Sequence, residues 1–253
     1  MSGKQSGLGS HLYIGGYDLS GDINSLSKIS GSQATIDVTS IDQFANSRLG
    51  GQRTGEIDFT SLFNPATGRE HPVLAALPRT DVDMMYSIGS AIGSPAACMR
   101  SKQPNYDGTR GTDGSFTFQV AAVSNAFGLE WGELLTAGES TVSGSVDSGS
   151  GTLTSVDFGV GTLDFGGQAY LQVTAFTGTD ISIGVNTSSD NSSFAGIASL
   201  EQQVTSAPSS IRSATAATTA VKRYNQVYWY TTGGFTSATF VLTFVRNPVA
   251  VTF

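Results

Sequence analysis

Few residues in this chain have side chains able to do chemistry, and they are widely spaced. The two histidines, His11 and His71, stand sixty positions apart, with no Gly-x-Ser-x-Gly elbow to supply a nucleophile and no Cys/His cluster at ligand spacing. Both are expected to be surface or capping residues. Cys98 is the one cysteine, so no intramolecular disulfide forms and a buried free thiol is expected. Glu56 and Asp58, like Asp81 and Asp83, sit two apart, where paired acids on one strand face could perform glycoside hydrolysis. No histidine, aromatic cleft or motif surrounds them, and a solvated sheet face accounts for both pairs. Ser188–Ser193 lacks the spaced acids and terminal Glu of a calcium loop and reads as a turn between strands. The pairs Gly15–Gly16, Gly50–Gly51, Gly166–Gly167 and Gly233–Gly234 match neither a phosphate loop nor a dinucleotide fingerprint, and read as turns and bulges. The residues therefore predict no catalytic group, no cofactor and no metal site.

The elements that carry these side chains are strands. Period-two alternation runs through Gln33–Ser40, with Ala34, Ile36 and Val38 opposed to Gln33, Thr35, Asp37 and Thr39. It recurs in Thr54–Phe63, where Ile57, Phe59 and Phe63 oppose Glu56, Asp58 and Thr60, and in Asp81–Ile88, where Val82, Met84, Tyr86 and Ile88 oppose Asp81, Asp83 and Ser87. Phe116, Phe118 and Val120 mark another strand. Each is expected to be half buried in an antiparallel sheet with one wet face. Between Asn64 and Pro78, the run Glu70–Leu77 predicts one short helix. On the strand Val221–Tyr230, Tyr224, Tyr228 and Tyr230 share a face and Trp229 takes the other; such aromatics stack on sugars, or pack against a partner sheet or subunit.

Composition agrees. Gly accounts for 31 of 253 residues and charged residues for only 13%, a balance that favours strands and turns over helix, while a hydrophobic fraction of 39% is enough to build cores. The net charge of −7 is the wrong sign for a groove that grips phosphates. The first thirty residues hold no continuous apolar run, so neither a signal peptide nor a membrane span is expected, and synthesis in a host cytoplasm follows. No fixed-period repeat covers the chain. The stretch 138–152, GESTVSGSVDSGSGT, is poor in large apolar side chains and reads as a flexible linker. It divides the chain into a first domain at 1–137 and a second, a β-sandwich, at 153–253.

The order of segments resembles that of the major tail tube proteins of long non-contractile-tailed phages. The likeness covers about residues 10–137 and rests on IGGYDLSGDINSLS, ATIDVTSID, FANSRLGGQRTGEIDFTSLFN, the helix HPVLAAL and the late strand FTFQVAAV. The C-terminal part resembles a β-sandwich attached to phage tail proteins. The resemblance implies an all-β structural protein of the virion, with no enzymatic activity, whose subunits form hexameric rings. In that arrangement each subunit adds strands to a shared inner barrel, the rings stack against one another and against other tail proteins, and double-stranded viral DNA passes through the lumen without specific binding. Asp37, Glu56, Asp58, Asp81 and Asp83 are then the expected lumen-facing acids, and Arg48, Arg53 and Arg100 keep the wall from being uniformly acidic. A carbohydrate- or receptor-binding tail-tip protein is the alternative, with Tyr224, Tyr228 and Tyr230 as its contact surface.

Overall fold

Strands dominate the computed structural model, which describes residues 6–76, 80–146 and 150–250. In chain order they are β1 (His11–Ile14), β2 (Tyr17–Asp18), β3 (Ile23–Asp37), β4 (Arg48–Leu62), β5 (Val82–Ser87), β6 (Pro95–Lys102), β7 (Asp107–Arg110), β8 (Phe116–Ser124), β9 (Glu130–Leu134) and β10 (Ser140–Val146). They continue with β11 (Ser150–Thr152), β12 (Val156–Asp157), β13 (Gly167–Gly178), β14 (Ile181–Ser188), β15 (Ala195–Gly196), β16 (Gln202–Val204), β17 (Ser209–Ala214), β18 (Tyr224–Tyr230) and β19 (Phe235–Arg246). One helix, α1 (Glu70–Ala76), lies between β4 and β5. The chain is all-β with one short helix, as its sequence predicts; the expected helix end at Leu77 and Pro78 falls outside the described residues.

The chain divides into two compact units, residues 1–21, 82–98 and 131–253 in one and residues 22–81 and 99–130 in the other. This differs from the boundary expected at 138–152. Within that stretch β10 pairs with β19 from Ser140↔Phe240 to Val146↔Phe235, β11 pairs with β18, and Val142 is buried in the core. A polar Gly/Ser-rich sequence forms strand here because neighbouring strands supply the ladder partners that its small side chains do not exclude. Residues 147–149 of the expected linker lie outside the described residues.

In the larger unit, one sheet runs β17-β13-β19-β9-β6-β5-β1-β2 and a second runs β11-β18-β14-β15. Ala169, Leu171 and Val173 of β13 and Phe240, Leu242 and Phe244 of β19 share a core with Ile181, Ile183 and Val185 of β14 and Val227 of β18. The opposite side chains of β13 and β19, Tyr170, Val241 and Val245, form a second cluster with Tyr13, Met85, Cys98 and Leu134. Cys98 is accordingly a buried free thiol. With both faces covered, these strands are buried without alternation from Gly167 to Val173 and from Phe240 to Arg246. The same covering corrects the expectation for Asp81–Ile88: every residue of β5 except Tyr86 is buried, so this strand has no wet face.

The smaller unit is built on the sheet β3-β4-β8-β7 with α1. Ile57 pairs with Ala122, Phe59 with Val120 and Ser61 with Phe118, all buried, while Glu56, Asp58 and Thr60 on the other face stay partly exposed. This is the alternation expected of Thr54–Phe63, except that Phe63 lies beyond β4 and is exposed. Gly50 and Gly51 fall at a register shift between β3 and β4, the role expected of them. The far end of this hairpin departs from expectation. Ile36, Val38 and Leu49 are exposed, as are Ile41 and Phe44 in the 38–47 connection, so the strand read from Gln33 buries neither face within the chain.

Candidate functional site

The five acids expected to face a lumen have different local surroundings. Glu56 and Asp58 share the partly exposed face of β4, where Lys28, which pairs in register with Asp58, forms an ion pair with Glu56. The lysine holds the Glu56 carboxyl below its ordinary range. Burial, then the neighbouring Glu56 charge, push Asp58 up, and its Oδ1 is buried without a hydrogen-bond partner. The trio carries one net negative charge rather than two, a consequence of Lys28 that the acid spacing did not signal.

Asp37 lies an odd number of positions beyond Lys28 on a run of β3 without an extra residue, which places it on the opposite face from Glu56 and Asp58. Its carboxylate accepts the N–H and hydroxyl of Thr39 at 2.9 and 2.5 Å, closing a local turn and lowering its pKa. Asp81 precedes β5 and pairs with Lys102 at 2.7 Å and with the Asn125 side chain at 2.9 Å. Asp83 is 3% exposed within β5. Asp83 is thus buried and Asp37 lies on the other face of its sheet, which leaves Glu56 and Asp58 as the acids that share one partly exposed strand face.

His71 packs against Phe63, Phe118 and Tyr106. Its Nδ1 lies 3.0 Å from the Tyr106 hydroxyl, which donates to Glu70 at 2.8 Å; Ser61 donates to the same carboxylate at 2.6 Å. Ser61, Glu70 and His71 resemble a hydrolytic set in type only. The serine donates to the carboxylate rather than to the imidazole, and both Ser61 and Glu70 are fully buried. Asp22 completes the network by accepting the Glu70 N–H at 3.3 Å and pairing with Arg69 at 2.9 Å, so the cluster anchors α1.

The tyrosines of β18 divide as well. Trp229 packs against the core between the sheets, and the three tyrosines take the other face, as the alternation predicts. Tyr224 stands apart, with the Arg223 guanidinium 5.0 Å from its ring and that guanidinium bidentate on Asp157 at 2.6 and 2.7 Å. Tyr228 and Tyr230 form near-parallel rings, 6.5 Å between centroids and inclined by 10°. Both hydroxyls donate to the Glu201 carboxylate, that of Tyr228 at 2.5 Å. Burial and this carboxylate push the Tyr228 pKa well up. Glu201, twenty-seven residues away, carried no signal in the sequence.

Asp190 accepts the Ser188 hydroxyl and the N–H groups of Ser192 and Ser193, making 188–193 the turn expected there. Among the described residues no group of three or more His, Cys, Asp or Glu is placed to hold a metal, and no helix is long and apolar enough to cross a membrane.

No protein-family profile matches the chain, and no curated protein matches it. Among solved structures, a chain from the virion of a native gene transfer agent particle is similar at 18% identity and a TM-score of 0.41, covering 51% of this chain and 98% of that one. A chain from the C6-symmetric tail of an empty gene transfer agent particle matches at 21% identity and 0.40, covering 50% and 97%. The Dit protein of phage SPP1, described as a hub of the adsorption apparatus in phages infecting Gram-positive bacteria, matches at 13% identity and 0.32, covering 92% and 98%.

Proposed function

We propose that this chain is a structural subunit of a virus tail tube, six copies of which share a continuous β-barrel in rings that stack, in the virion tail, into a conduit for viral DNA. The observation that carries the reading is the edge of the smaller unit's sheet. Among the described residues β3 pairs with β4 alone and β7 with β8 alone, which leaves a fifteen-residue strand with one open side. An open edge of that length is an aggregation hazard in a free protein, and closure into a barrel between chains removes it. The exposed Ile36, Val38, Ile41, Phe44 and Leu49 at the end of the same hairpin need a cover of the kind a neighbouring subunit gives.

In this reading the partly exposed face carrying Glu56 and Asp58 lines the lumen and DNA passes without specific binding, because the residual negative charge repels phosphate over about a Debye length, roughly 8–10 Å. Sedimentation velocity of the purified chain tests the reading. Species of six protomers and multiples of six support it, and a protomer of 26.2 kDa at every concentration refutes it. A tail-tip role in adsorption is the second reading, favoured by the aromatic surface of β18.

A further inference from the structure

We propose that the surface formed by Tyr228 and Tyr230 is a binding site for neutral saccharides. The argument begins with what lies under the rings. Ser182 and Gly184 on β14 pair in register with Tyr230 and Tyr228, and their side-chain positions point to the same outward face of the sheet. Both are nevertheless buried, Ser182 to 7% exposure. Over Gly184 the cover is the Tyr228 ring: a Cβ built there would meet Cε1, Cζ and Oη of Tyr228 at 2.6, 2.7 and 2.8 Å. Tyr228 therefore leans across β14, the Tyr230 ring lies near-parallel to that of Tyr228 and is tied to the same carboxylate, and both keep part of their surface exposed. On the other side β11 contributes the small residues Ser150 and Thr152, opposite Tyr230 and Tyr228.

The result is an aromatic surface spanning two residues, with a carboxylate at the ring hydroxyls and the exposed Thr152 on the neighbouring strand. An aromatic face accepts the apolar C–H face of a pyranose. A carboxylate has about four lone-pair sites, of which the two tyrosine hydroxyls use two, so Glu201 can still accept from sugar hydroxyls while holding the rings in place. The same charge, on a chain of net −7, disfavours sialylated or sulfated glycans. The site is complete within one unit of one chain, so its test does not depend on ring assembly.

The full chain is applied to an array of neutral, sialylated and sulfated oligosaccharides, and the best neutral ligand is titrated. Saturable binding to a neutral oligosaccharide is expected. Tyr230→Ala should lose at least about tenfold, ~1.4 kcal/mol. Hydroxyl-radical footprinting of the unmodified chain gives a readout that no variant's folding can confound: saturating sugar should protect Tyr228 and Tyr230. Absence of neutral-glycan binding, binding confined to anionic glycans, parental affinity in Tyr230→Ala, or unprotected tyrosines in the complex each overturns the proposal.

Discussion

The side-chain oxygen of Gln172 accepts the N–H of Gly16 at 2.8 Å, and its amide nitrogen donates to the Asp83 carbonyl at 2.8 Å, tying the centre of β13 to the β1–β2 turn and to β5. Gln172 is fully buried, and Gly16, at φ +87°, approaches so closely that a Cβ there would meet the Ser209 nitrogen at 2.3 Å. Gln172→Leu leaves the buried Gly16 N–H without its acceptor. The expected cost is about 1–3 kcal/mol, read as a lowered urea midpoint with an unchanged m-value; an unchanged midpoint would show that the bond is dispensable.

Asp58→Asn should stabilise the protein at neutral pH. A carboxyl whose folded pKa is raised above its unfolded value is costly when ionised, so relief is complete above the folded pKa and absent below the unfolded one, 3.8. Melting temperatures of parent and variant should differ at pH 7 and converge below about pH 4. A variant that melts lower at pH 7 would contradict the assignment of burial and Glu56 repulsion as the causes.

Ile41→Ser combined with Phe44→Ser should leave folding almost untouched, within about 0.5 kcal/mol, because neither side chain is buried in the chain. Assembly should suffer instead, with the sedimentation profile shifting toward the protomer. Normal assembly of this variant would remove the hairpin end from the subunit contact.

How much of this was legible in the sequence depended on how many faces of an element the fold covers. Thr54–Phe63 and Tyr224–Tyr230 each keep one open face, and their alternation gave the correct sides for Glu56, Asp58, Trp229 and the tyrosines. Asp83 sits in the same alternating pattern but in a strand covered on both faces, a circumstance set by partners distant in sequence such as Gln172. Ser140–Val146 looked like a linker because its pairing energy comes from β19, a hundred residues later. Lys28 and Glu201 acquire their roles only through register and chain return, which spacing does not encode.

Negative-stain electron microscopy of the purified chain tests the central claim most directly. The account predicts rings with a central channel, six-fold in averaged top views, stacking end to end into tubes as concentration rises. Isolated protomer-sized particles across the whole concentration range, or compact aggregates without a channel, would contradict it.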